Sequence, residues 1–237
     1  MKRDEVCALI GKIGIIPAIR VSSNEDAHFA AEAVTRGGIP IVEITMTVPG
    51  AVDLISHLVR YHPNLLVGAG TVLDTQTARL CVDAGASFLT APGLDVQIVE
   101  FAAKENIAAL PGALTPTEVV TAWKAGADFV KVFPCAQVGG DRYIKALKTS
   151  LPQIRLIAAG GVNQQTAGNF ILAGADAIGV GTELIPTEAI ECKEAERIRE
   201  LAQRFTKFVH EARSRIEPRK HHTAAGKKYV GTEKCER

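Results

Sequence analysis

The sequence contains no CxxC pair. Its five cysteines, Cys7, Cys81, Cys135, Cys192 and Cys235, are odd in number and widely spread, so neither a zinc knuckle nor a redox pair is suggested. A surplus of charge is also missing. The 27 Lys and Arg residues stand against 26 Asp and Glu, a formal net charge of +1, which gives no field to attract nucleic acid or an acidic membrane. No stretch approaches the ~20 apolar residues of a membrane span, and the opening MKRDEVCALIGKIG has charges but no apolar run of signal length. A catalytic metal wants several histidines or carboxylates at strand ends. Here His28, His57, His62 and His210 fall on helical stretches or at their ends, and His221 and His222 lie in the C-terminal tail. These absences leave an expectation of small-molecule chemistry with no metal or cofactor, in a cytoplasmic protein with reduced cysteines.

What is present is apolar and periodic. Hydrophobic residues make up 47% of the 237 and charged residues 22%, enough for a full core. Eight short β-branched or apolar runs alternate with longer amphipathic stretches: GIIPAIRV (14–21), PIVEITMT (40–47), LLVGAGTV (65–72), FLTAPG (88–93), AALPGA (108–113), FVKVFP (129–134), RLIAAGGV (155–162) and AIGVGTEL (177–184). Their starts recur at roughly 20 to 26 residues, the length of one βα unit with short loops. The stretches TRGG, DAGAS, KAGAD and LAGAD repeat one device, a helix stopped by glycine before the next strand. Eight units predict a closed (β/α)₈ TIM barrel, since an open doubly wound sheet more often has five or six strands. The segment before residue 14 reads as an N-terminal helix across the barrel bottom, and 187–215 as one long final helix. One barrel domain is expected over 1–216, followed by a flexible tail over 217–237 with many charges and no apolar period.

Alternation along a barrel strand sorts side chains between interior and helix layer. In PIVEITMT, the apolar set Val42, Ile44, Met46 and Val48 must meet the helices, which turns Glu43, Thr45 and Thr47 inward. In FVKVFP, Val130 and Val132 face out, and Phe129, Lys131 and Phe133 face in. Arg20 is inward by alternation with Ile16 and Ala18, and Thr71 is assigned to an inward face with Val67 and Ala69. Lys131 and Glu43 therefore share one interior, near the strand ends where barrel enzymes build their sites. Enclosure favours the neutral form of a lysine, the form that attacks carbonyl carbon. A plain buried ion pair is the alternative, though such pairs seldom improve on apolar packing. The AAGGV and GVGT turns follow the seventh and eighth strands, where barrels commonly hold phosphate on backbone N–H groups.

The stretches VEITMT, VGAGTV, APG, LPGALTPTE, FVKVFP, AAGGV and GVGTEL, in that order over roughly residues 10 to 190, resemble the 2-keto-3-deoxy-6-phosphogluconate (KDPG) aldolase / 4-hydroxy-2-oxoglutarate (KHG) aldolase family. The resemblance implies a homotrimeric TIM barrel that cleaves a 2-keto-3-deoxy sugar acid phosphate, a small 2-keto acid substrate, to pyruvate and glyceraldehyde 3-phosphate. It also implies roles: Lys131 as the Schiff-base lysine and Glu43 as general acid/base. Thr71 would hold the keto-acid carboxylate, Pro92 and Phe133 would line the pyruvate pocket, and Gly160, Gly161, Gly181 and Thr182 would cradle phosphate. The chain departs from the family at Thr47, where many members carry a carboxylate-binding arginine, and at Ala159, where a threonine often precedes GGV. Arg20 is the candidate to supply the missing charge. These departures keep KHG and the galactonate analogue of KDPG open as substrates. Other readings are a metal-dependent aldolase, a phosphate-binding barrel isomerase or synthase, and a non-catalytic barrel used for assembly or ligand sensing. Cys135 reads as a packed or partly exposed thiol and Trp123 as a packing residue of its helix.

Overall fold

The computed structural model describes residues 1–216; the expected tail over 217–237 lies outside the described residues. The strands are β1 (Ile15–Ile19), β2 (Ile41–Thr45), β3 (Leu66–Gly70), β4 (Phe88–Thr90), β5 (Ala108–Leu110), β6 (Gly112–Ala113), β7 (Val130–Val132), β8 (Leu156–Ala159) and β9 (Ala177–Val180). All pair in parallel, in the order β5-β4-β3-β2-β1-β9-β8-β7-β6. The two ends of that order are consecutive in the chain, with Pro111 alone between them. β5 pairs with β4 and β6 with β7, so the single run AALPGA serves both neighbours and brings the sheet round into a barrel. Eight strand positions result, as the eight apolar runs predict.

The helices are α1 (Arg3–Ile13), α2 (Asn24–Arg36), α3 (Ala51–Tyr61), α4 (Thr75–Asp83), α5 (Val96–Lys104), α6 (Pro116–Lys124), α7 (Asp141–Ser150), α8 (Ala167–Leu172), α9 (Thr187–Glu191) and α10 (Ala195–Ile216). Four start on a side-chain cap: Ser23, Asp74, Asp95 and Thr115 accept the backbone N–H of Asp26, Thr77, Gln97 and Glu118, satisfying donors that the first turn leaves free. The repeated glycine device is a shared backbone state. Gly38, Gly85, Gly126 and Gly174 have φ of +93°, +98°, +102° and +107°, a left-handed region that glycine enters without a Cβ penalty. Among the described residues, no helix is long and apolar enough to cross a membrane.

The N-terminal helix lies at the barrel bottom. Val6, Cys7 and Ile10 are buried, and Arg3 donates to the Asp128 carboxylate at 2.9 Å and to the Gly126 carbonyl at 2.8 Å, just before β7. Arg213 of α10 donates to the carbonyls of Gly11 at 2.7 Å and Asp176 at 2.9 Å, and also to that of Lys12. First helix, last helix and the entry to β9 thus meet on one guanidinium.

Four expectations need correction. The stretch 187–215 is not one helix: α9 ends at Glu191, and Lys193 takes a left-handed φ of 52° while its ammonium bonds Asp26 at 2.8 Å. Trp123 is 43% exposed and does not serve the core. Strand β2 stops at Thr45, so alternation does not reach Thr47, which is exposed. On β3 the inward face belongs to Gly68 and Gly70, because a Cβ at Gly68 would enter the Phe88 ring and one at Gly70 would meet the Glu43 carboxylate. Val67 and Ala69 therefore face the helices. Thr71 follows the strand with φ 59°, an uncommon conformation for a β-branched residue that breaks the alternation altogether.

Candidate active site

Register builds the site. Ala18, Glu43 and Gly68 are Cα partners across β1, β2 and β3, and Gly112, Lys131 and Ile157 across β6, β7 and β8. Ala159 and Gly179 are partners across β8 and β9. Partner residues of a parallel pair point the same way, so the inward shell around Lys131 and Glu43 consists largely of Gly and Ala. At Ala18, Ala159 and Gly179 the small side chains leave volume unfilled where a packed barrel would place Val or Ile. The result is a cavity of about 300 Å³.

Lys131 and Glu43 meet inside it. Lys131 Nζ lies 3.4 Å from Glu43 Oε1 and 3.5 Å from Thr90 Oγ1. The two side chains are 13% and 4% exposed, so both are withdrawn from bulk water. The ammonium position is 5.9 Å from the centre of the Phe133 ring, within reach of a cation–π contact. Gly70 makes the room that the Glu43 carboxylate occupies. Thr45 Oγ1 donates to the Ile19 carbonyl at 3.0 Å and lies 2.7 Å from Thr47 Oγ1, which ties the upper ends of β1 and β2 beside the pair.

Eight of the expected site residues line this one cavity. Lys131, Glu43 and Phe133 line it, with Arg20, which is exposed one residue past the end of β1 and not turned inward by alternation, and with Gly160, Gly161, Gly181 and Thr182 from the turns after β8 and β9. Gly160 and Gly161 both have φ of +82°. A Cβ at Gly160 would lie 2.9 Å from Pro134 Cα, and one at Gly161 would run into the Ala136 methyl. Conformation and close packing both require glycine there. Three expected residues do not line the cavity: Thr47 and Thr71 for the reasons above, and Pro92 because it is exposed past the end of β4, with its carbonyl packed under Gly112.

Sequence reasoning missed Thr90 and Glu183. Thr90 is buried and touches Lys131; strict alternation on FLT, with Thr90 sharing the face of Phe88, was the available signal. Glu183, beside Thr182, also lines the cavity and had no signal of its own. Cys135 is a packed thiol. Its Sγ is 3.5 Å from the Gly140 carbonyl oxygen, and burial, reinforced by Asp141, pushes its pKa up to about 12. Such a thiol is no nucleophile.

An amine and a carboxylate in hydrogen-bond reach within a cavity can add to a carbonyl and pass protons to and from the adduct. The glycine turns at the rim offer backbone to an oxyanion. The model of the family described as KDPG and KHG aldolase matches residues 6–201. A 2-dehydro-3-deoxy-phosphogluconate aldolase of Pseudomonas aeruginosa is 30% identical over 208 residues, covering 86% of this chain and 94% of that one. A KHG/KDPG aldolase of Escherichia coli strain K12 is 32% identical over 190 residues, covering 80% and 89%. Among solved structures, a KDPG aldolase from Legionella pneumophila, with pyruvate captured at low pH as a covalent carbinolamine intermediate, superposes with a TM-score of 0.77. It is 31% identical and covers 84% of this chain and 96% of that one. A match that runs through every strand of the barrel, joined to relatives of this identity and coverage, makes the chain a member of the KDPG and KHG aldolase family.

Proposed function

We propose that this class I aldolase cleaves KDPG, or a close 2-keto-3-deoxy sugar acid, to pyruvate and glyceraldehyde 3-phosphate through a Schiff base on Lys131. The observation that carries the proposal is the 3.4 Å approach of Lys131 Nζ to Glu43 Oε1 inside the cavity. The neutral amine adds to the C2 carbonyl, and Glu43 delivers a proton to the carbinolamine oxygen so that water leaves. The iminium then accepts the electron pair of the C3–C4 bond as it breaks. Glu43 removes the proton of the C4 hydroxyl, directly or through a water, and the aldehyde departs. The enamine takes a proton at C3, and hydrolysis frees pyruvate and the amine. Thr90, 3.5 Å from the same nitrogen, is placed to orient it.

In this reading Phe133 walls the pyruvate end. Arg20 supplies positive charge for the keto-acid carboxylate, and Gly160, Gly161, Gly181 and Thr182 receive the phosphate. KHG, which gives pyruvate and glyoxylate, and the galactonate analogue of KDPG remain competing substrates. Ala159 offers no hydroxyl to a phosphate, and Glu183 brings a carboxylate to the cavity lining. We also propose a cytoplasmic homotrimer acting in carbohydrate breakdown of the Entner–Doudoroff kind, on the strength of the family resemblance.

Borohydride added with pyruvate tests the chemistry. The expected result is a covalent mass gain on the peptide bearing Lys131, and its disappearance together with turnover in Lys131→Met. An adduct still trapped in that variant would overturn the assignment. Pyruvate release measured across KDPG, its unphosphorylated form, the galactonate analogue and KHG then fixes the acceptor. The mechanism uses no metal, so activity is expected to persist in chelator.

A further inference from the structure

Three of the four histidines within residues 1–216 share one patch on the outside of the barrel. His28 lies in the second turn of α2, His57 in α3, and His62 caps the C-terminus of α3. The His28 ring stands 5.3 Å from that of His57 and 5.6 Å from that of His62, edge-on to both. Glu32, one turn beyond His28 on the same face of α2, brings its carboxylate to 3.8 Å from His28 Nδ1. One donor atom each from His28, Glu32 and His62 lies within 4.8 Å of the others. None of these residues lines the Lys131 cavity.

We propose that His28, Glu32 and His62 form a binding site for a divalent transition ion of the zinc class. Imidazole nitrogens with one carboxylate oxygen are the donor set such ions prefer over magnesium or calcium, which take oxygen ligands. Donors around a tetrahedral ion with bonds of about 2.0–2.2 Å stand about 3.3–3.6 Å apart. Contraction from the present spacing is small and falls on side chains that are exposed or half-buried, His28 at 31% and Glu32 at 49%. The i, i+4 spacing of His28 and Glu32 places two ligands on one helix face. His62 supplies the third from the neighbouring helix, and the His57 ring stands 5.3 Å from that of His28. An ion bound here clips α2 to α3, the helices that follow the strands ending near Arg20 and carrying Glu43. It takes no part in the aldol step.

The test uses the full chain carrying His221→Ala and His222→Ala, which removes the adjacent histidine pair of the C-terminal stretch. Zn²⁺ is titrated against a chromophoric chelator, Co²⁺ is followed by visible absorption, and melting temperature is read with and without Zn²⁺. One ion per chain is expected, with a rise in melting temperature as the ion binds the folded state. His28→Ala and His62→Ala should each weaken binding by at least the roughly 10- to 100-fold that loss of a supporting partner costs a metal site. The conservative Glu32→Gln should weaken it with the metal-free melt unchanged. Binding well below one ion per chain, or an affinity unmoved by His28→Ala and His62→Ala, overturns the site. Borohydride trapping of pyruvate in chelator should be intact in every variant, so the fate of the aldolase reading is scored separately.

Discussion

At Gly70 a single hydrogen decides where Glu43 can sit, since any Cβ there would meet the carboxylate. Gly70→Ala should therefore fold, because the clash can be relieved by swinging one side chain, yet carry Glu43 away from Lys131. Misplacement of a reacting group by about 1 Å costs on the order of 10²-fold in rate. The expected outcome is a fall in kcat of that size or more with the far-ultraviolet spectrum and melting profile retained, measured by pyruvate release. A variant with full kcat would show that the carboxylate position is not needed. The same residue explains a limit of sequence reading. Alternation sorts faces by polarity, and in LVGAG the inward positions carry no side chain to report, so Val67 and Ala69 claimed the interior and drew Thr71 with them. Lys131 and Glu43 were legible because each is a lone charge in an apolar run. Thr90 was harder to see, because a threonine fits either face.

At the scale of the element, the glycine stops of the helices were readable in the sequence, while their N-terminal caps were not singled out. Ser23, Asp74, Asp95 and Thr115 each stand at a residue type that favours a cap, and the four glycine stops keep one left-handed state. The start of α6 is the most complete. The Thr115 hydroxyl accepts the Glu118 N–H, while the Glu118 carboxylate accepts from the N–H groups of Leu114 and Thr115 and from the Thr115 hydroxyl. Thr115→Ala is expected to cost about 1 kcal/mol in urea unfolding. These bonds, that from the Thr115 hydroxyl foremost, hold the Glu118 carboxyl below its ordinary value of 4.5. A carboxylate depressed in the folded state stabilises fully above its unfolded pKa, and that gain is lost as pH falls through the lower folded value. Glu118→Gln should thus lower the melting temperature near neutrality and converge on the unsubstituted protein in acid. Strand ends were less legible. Polarity continues past Thr45 into the loop, which is why Thr47 was carried into a cavity it does not line; Pro92 was assigned there by the resemblance alone. The break between α9 and α10 carries no Pro or Gly and falls at Lys193, which is left-handed and bonds Asp26.

At the scale of the whole molecule, closure depends on bringing distant parts of the chain together. Arg213 gathers the carbonyls of Gly11, Lys12 and Asp176, joining residues some 200 positions apart in sequence. Arg213→Ala leaves those acceptors without their donor and should lower stability by about 1–3 kcal/mol. It would be read as an earlier urea midpoint at unchanged slope. Pyruvate trapping at low temperature should survive, because the staple lies at the far end of the strands from Lys131. The barrel itself could be counted from eight apolar runs, but its closing seam could not. That seam is one run split at Pro111, whose carbonyl accepts the Lys131 N–H at 2.8 Å. Across the barrel from that seam, the cavity is walled by hydrogens and methyls at Ala18, Ala159 and Gly179. Such a lining can be furnished anew: a hydroxymethyl at Ala18 or Ala159 would add a donor to the cavity, with the amine and its carboxylate unsubstituted. If the proposed function holds, acceptor preference in this scaffold is thereby adjustable from the strands themselves, one atom at a time, with no loop rebuilt.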